Sequence, residues 1–146
     1  MSASDAMETG ILSLIFNNDA FALIGDAGGL QPSAAAGSLY VSLHTADPGE
    51  AGNQTTSEAA YTSYARVAVA RSAAGWTVAA ENCSNAAAVT FPQCTGGSST
   101  VTYFGIGTAS SGAGVLLFSG ILTAQLAVSA GITPEYAIGD LDVDAA

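Results

Sequence analysis

His44 is the single histidine of this sequence, and Asp47 follows it closely. A nucleophilic site needs a base beside a nucleophile and a carboxylate that orients the base. No Gly-x-Ser-x-Gly elbow accompanies the pair, so the expected role for His44 is that of a strand-face histidine at a turn. A metal site built from His44, Cys83 and Cys94 needs a fourth ligand, and no Cys-x-x-Cys spacing supports one. Asp140, Asp142 and Asp144 alternate like the first acids of a calcium loop. That loop also requires a glycine at its sixth position and a later glutamate, so an acidic, solvated strand face is expected instead. Gly25-Asp26-Ala27-Gly28 lacks both the Gly-Lys-Ser/Thr continuation and the preceding strand of a phosphate cradle. No catalytic, cofactor-binding or metal-binding residue is expected, and so no enzymatic activity and no cofactor.

Two further residue classes bear on chemistry. Cys83 and Cys94 are too few for a disulfide framework. Two small buried thiols are expected, and a single bridge stays open if their strands lie side by side. Arg66 and Arg71 are the only cations against twelve acids, and the formal net charge is −10. Both arginines are expected to pair with acids and, as the only cations, to mark an interface. Nucleic-acid binding draws most of its affinity from Lys and Arg on phosphates, which excludes DNA and RNA as partners here. The same balance excludes an anionic membrane surface. No segment resembles a transmembrane span, because its apolar tracts are broken by Gly, Ser and Thr. The N-terminus lacks the basic region of a secretory leader.

The elements that carry these residues follow from periodicity. At 146 residues the chain is long enough for one domain with a real core. Only 10% of residues are charged, against about 25% in ordinary soluble domains. The resulting surface of Ala, Gly, Ser and Thr suits packing against other subunits. Ser4 is placed to cap a helix with Asp5 and Glu8 in its first turn. Met7, Ile11, Leu14 and Ile15 share one face of that helix, Leu12 and Phe16 widen it, and Asn17-Asn18-Asp19 stops it. The apolar face either covers the chain's own core or docks on a neighbour. Residues 25–37 form a loosely specified loop expected to be ordered by a partner.

From Leu39 onward the pattern changes to period two. Leu39, Val41 and Leu43 alternate with Tyr40, Ser42 and His44, and Asp47-Pro48-Gly49 ends the run. Extended runs follow over 61–71, 75–78, 85–91, 100–107, 115–118 and 121–128, with a last strand placing Leu141 and Val143 opposite Asp140, Asp142 and Asp144. Short strands with turn signals at about 8–12-residue intervals predict a mainly β fold, a jelly-roll-like β-sandwich with a short N-terminal helix. The expected organisation is an N-terminal helix and loop arm over 1–37 and a β-sandwich domain over 38–146.

The blocks LYVSLHTADPGEAGNQTTSEAAYTSYARVAVARS (39–72), GWTV (75–78) and FGIGTASSGAGVLLFSG (104–120) resemble a family of tailed-bacteriophage virion proteins, often labelled tail-fibre or structural proteins. LSLIFNN (12–18), IGDAGGL (24–30) and ITPEYAIGDL (132–141) are similar to the same family. The resemblance implies a multi-copy particle component, assembled in the host cytoplasm and located in the virion. Two roles follow from it. One is a capsid decoration or cement protein on the outer head shell, bound to the major capsid protein, where a −10 chain stands away from packaged DNA. The other is a tail, tail-fibre or adaptor component. A homo-oligomer, a trimer by analogy with threefold capsid positions, is expected to join the particle through Ile11, Leu14, Ile15 and Phe16, with Arg66 and Arg71 at interfaces.

Overall fold

The computed structural model describes residues 2–145, so the first and last residues of the expected spans lie outside it. Ser4 stands at the N-cap of α1 (Asp5–Leu12) in extended geometry. Its carbonyl accepts the N–H groups of Met7 and Glu8 at 2.8 and 3.0 Å, while its side chain makes no capping bond. Asp5 and Glu8 occupy the first turn, where the helix dipole favours negative charge. The helix continues into a π-helical turn, Ser13–Asn17, and ends at Asn18, whose φ of 59° is left-handed. Asparagine tolerates that conformation better than most residues do.

Nine strands follow: β1 (Ser38–His44), β2 (Val67–Ala70), β3 (Trp76–Ala79), β4 (Asn82–Asn85), β5 (Val89–Thr90), β6 (Ser98–Gly107), β7 (Leu116–Ser129), β8 (Glu135–Tyr136) and β9 (Asp142–Asp144). They form a four-stranded sheet in the order β2-β1-β6-β7, a three-stranded sheet β3-β4-β9 and a two-stranded ladder β5-β8. The fold is mainly β, a sandwich architecture with one short N-terminal helix. The chain divides into two compact units, one of Met1–Ser38, Val69–Ala88 and Ala137–Ala146, the other of Leu39–Ala68 and Val89–Tyr136.

In the first unit, Phe16 and Trp76 are both fully buried. Their rings meet edge to face, with centroids 4.8 Å apart and planes at 61°, a favoured arrangement for two aromatic quadrupoles. Trp76 opens β3, which pairs with β4 in the register Trp76↔Asn85 and Val78↔Cys83. Cys83 in turn lies opposite Val143 of β9. Leu141 and Val143 are buried while Asp142 and Asp144 are exposed, the alternation that the acidic run predicts. Buried Asn85 fastens the last segment: Nδ2 donates to the carbonyls of Ala87 and Ala137 at 2.8 Å, and Oδ1 accepts the Leu141 N–H at 2.9 Å. A buried amide with its polar atoms satisfied fixes position at little desolvation cost.

The 25–37 loop makes polar contacts within that same unit. Asp26 Oδ1 accepts the N–H groups of Gly28 and Gly29. The Asn18 side chain exchanges two bonds with the Ser33 backbone, and Phe21 and Leu30 bond each other's backbone in both directions at 2.9 Å. Low apolar content does not prevent order here because hydrogen bonds close the loop on itself.

In the second unit, the antiparallel pairing sets Leu43 opposite Phe104 and Val41 opposite Ile106, all four buried. The β5-β8 ladder packs on this face: the Tyr136 ring lies 6.3 Å from Phe104 and 6.0 Å from Phe91. Phe91 stacks 6.4 Å from Tyr64, which meets Tyr61 at 5.4 Å. Three strand expectations change. The run 85–91 is divided between the end of β4 at Asn85 and the two residues of β5. The run 61–71 is extended only over Val67–Ala70, with Tyr61 and Tyr64 turned into the core from a loop. Gly120 does not separate two strands. β7 runs through it continuously because the Phe104 ring occupies the space where a Cβ would stand.

Candidate functional site

Paired residues of an antiparallel ladder share a face. In the second unit one row runs His44, Tyr103, Ile121 and the next runs Ser42, Gly105, Ser119. On β1 this face is as buried as the opposite one: Ser42 and His44 are both 0% exposed. The segment between β1 and β2 covers them. His44 Nδ1 donates to the Thr56 carbonyl at 2.8 Å, so Nε2 is the acceptor for the Ser42 hydroxyl, also at 2.8 Å. This is a serine–histidine contact without a carboxylate behind the imidazole and without solvent access. Burial holds the imidazole below its ordinary pKa, opposed by the Thr56 carbonyl and the charge of Glu58. Its arrangement fastens a loop to a strand.

Glycine makes room for this cluster. A Cβ on Gly105 would stand 2.6 Å from His44 Nε2 and 2.7 Å from Ser42 Oγ, and the Gln54 side chain fills the space over Gly107. Gln54 is itself fully buried. Its N–H donates to the Ala113 carbonyl at 2.9 Å and its Oε1 accepts the Ala109 N–H at 2.8 Å.

Beyond the covered part, the same face opens into a cleft of about 380 Å³ between residues 47–52 and β7. It is lined by Tyr103 of β6, by Leu116 to Ile121 of β7, and by Asp47 and Glu50 of the segment after β1. Both acids are exposed, and Asp47 Oδ1 also accepts the Gly49 N–H at 2.9 Å. Two large apolar side chains stand exposed on the β7 stretch, Leu117 at 38% and Ile121 at 71%, beside Ser119.

The remaining sequence-selected residues fall elsewhere. Arg66 grips Glu58 with two bonds of 2.7 and 2.8 Å and reaches the carbonyls of Ala109 and Gly112 at 2.9 and 2.7 Å. Among the described residues Arg71 meets no acid. Its guanidinium donates to the carbonyls of Ile15, Leu14 and Ala36 at 2.6, 2.7 and 3.0 Å and to Ser33 Oγ at 3.1 Å. The first two acceptors belong to the end of the helical segment, where the orphan carbonyls and the dipole favour a cation. Ile11, Leu14 and Ile15 are half-buried, and Phe16 is fully buried. Cys83 and Cys94 are free and buried; burial, with the Asp142 charge, pushes the Cys83 thiol up to about 12. Among the described residues no cluster of three or more His, Cys, Asp or Glu is placed to hold a metal ion.

The second unit thus carries an open cleft of mixed lining and a buried polar fastener. The family model described as "Podophage GP4 fiber I protein gp80" matches residues 2–144. The chain belongs to this family. It is thereby a member of a tailed-phage virion structural protein family, as the quoted blocks imply. Among curated proteins, none matches the chain.

In this fibre-family chain, sequence reasoning missed the cleft and the Gln54 anchor. Gln54 sits in a polar run with no periodicity to mark it as buried. The one available signal was Gly105 and Gly107 at the end of a run of β-branched and aromatic residues, Thr100 to Phe104, since glycine inside a strand marks close approach by another group.

Proposed function

We propose that the chain is a non-enzymatic fibre component of the virion, acting by holding other virion proteins at its surfaces. The observation that carries this reading is the match to a fibre-protein family over residues 2–144. The buried state of the Ser42–His44 contact supports it, because no substrate atom reaches a hydroxyl that is 0% exposed. The sparse charge supports it too, since a surface of small uncharged residues suits subunit packing. Self-association into a homo-oligomer, with a trimer as the first expectation, and docking through the half-buried face of Ile11, Leu14 and Ile15 belong to the same proposal.

A second reading, a decoration protein on the outer head shell bound to the major capsid protein, is favoured by the net charge of −10, which suits a site remote from packaged DNA. Immunogold electron microscopy of purified virions, with quantitative gels for copy number, separates the two. Label on the tail at low copy number is the expected result. Label spread over the head at a copy number matching the shell replaces the fibre reading with the decoration reading.

A further inference from the structure

Among the described residues β7, 14 residues long, has one strand neighbour, β6, and no strand pairs with its other edge. Exposed edges are ordinarily protected by charges, proline, bulges or a covering segment. Leu116–Ser129 contains neither an ionisable residue nor a proline. Its register shifts lie between Val101 and Tyr103 and between Ile106 and Gly107, leaving the stretch from Phe118 to Ile121 in unbroken pairing with Ile106 to Tyr103. That regular stretch also lines the cleft.

Charge decides what fits there. Asp47 and Glu50 line the same cleft and form its acidic lip. The chain's only cations, Arg66 and Arg71, are both engaged, Arg66 by Glu58 and two carbonyls and Arg71 by three carbonyls and a hydroxyl. A second copy would bring ten further net negative charges and, among the described residues, no unengaged Lys or Arg to set against this lip. An extended segment rich in Lys or Arg supplies the missing charge. Laid antiparallel or parallel against β7, it places every second side chain on the Ile121 face, and long basic side chains reach across that face to the lip.

We propose that the open edge of β7 and its acidic-lipped cleft receive an extended, basic segment of a different protein by strand addition. The proposal stands on the cleft itself and holds for a tail or a head location alike.

The test titrates the intact chain with a short synthetic peptide alternating lysine and valine, followed by calorimetry. Two comparison peptides are the same sequence with glutamate in place of lysine and the same sequence N-methylated on alternate amides. Binding of the lysine peptide alone is expected, weakening as salt rises. The double variant Asp47→Asn with Glu50→Gln keeps side-chain size and one acceptor oxygen at each position, and is expected to weaken binding about five-fold, the loss of two exposed charge pairs. Circular dichroism confirms that the variant keeps its fold. Equal binding of the glutamate peptide, full binding of the N-methylated peptide, or an unchanged affinity in the double variant would each overturn the proposal. So would dimerisation of the free chain that Ile121→Glu abolishes, since the edge would then belong to a second copy.

Discussion

Arg66 and Glu58 form a fork-to-fork ion pair, Nε to Oε1 at 2.7 Å and Nη2 to Oε2 at 2.8 Å. The Arg66 side chain is 2% exposed and that of Glu58 16%. Tyr64 donates its hydroxyl to the same Oε1 at 2.8 Å and accepts the Leu43 N–H at 3.1 Å. One guanidinium thus joins the residues around β1 to the 108–114 turn. Arg66→Ala strands the Glu58 carboxylate and is expected to cost about 3–5 kcal/mol in urea unfolding. Amide exchange at residues 109–113 should accelerate in the same variant. Arg66→Lys, which keeps the charge and loses the fork, should recover only part of the loss.

His44 makes stability depend on pH. Its folded pKa lies below the ordinary 6.5 because burial disfavours the imidazolium. Above about pH 6.5 the imidazole is neutral whether folded or unfolded. As pH falls below that value the unfolded chain takes up a proton that the folded chain refuses, and stability declines until the folded pKa is passed. Glu58 and Arg66 face the ring with opposing effects. The melting temperature should therefore drop between pH 7 and pH 5 more steeply in the native chain than in His44→Gln, which removes this titration while the acids remain. Parallel slopes in the two proteins would refute the assignment. His44→Ala should lower stability through lost packing and a lost Thr56 bond.

Gly105→Ala tests the fit of strand to loop. The added methyl meets His44 Nε2, Ser42 Oγ and Leu116 Cδ1, the last at 2.9 Å. Two of these atoms are tied into one hydrogen bond and cannot turn aside without breaking it. A loss of about 1–3 kcal/mol is expected from overpacking, read as an earlier urea midpoint. A neutral substitution would show that the cluster is loosely packed.

Phe16→Ala opens a cavity against Trp76 in the first unit. Phenylalanine-to-alanine changes in cores cost about 3–5 kcal/mol. Trp76 is the only tryptophan, so its emission reports on this unit alone. A red-shifted native spectrum and a lowered unfolding midpoint are expected in the variant. An unchanged spectrum would mean that the ring contact contributes little to the environment of Trp76.

The amino-acid sequence determined what depends on neighbours along the chain. Alternation through Leu39, Val41 and Leu43 produces β1, because side chains of a strand point to opposite faces in turn. Val143 between Asp142 and Asp144 produces a strand with one dry face, as observed. Asn18 ends the first helical segment, and twelve acids against two arginines set the formal net charge at −10. Alternation has no means of signalling that both faces of β1 are covered. Ser42 and His44 read as the solvent side, and they are buried because residues 53–58 return over them and offer the Thr56 carbonyl to the ring.

The same holds for the arginines. Arg66 and Arg71 share a charge and a local pattern, yet one meets a carboxylate and the other meets backbone carbonyls at the end of a helix distant in sequence. β7 shows the limit most plainly. Gly120 reads as a break, and the strand passes through it because the Phe104 ring from the neighbouring strand takes the vacant Cβ position. Its open edge, and the acids lining the same cleft, arise from strand order and loop placement, which long-range pairing sets and short-range periodicity does not encode.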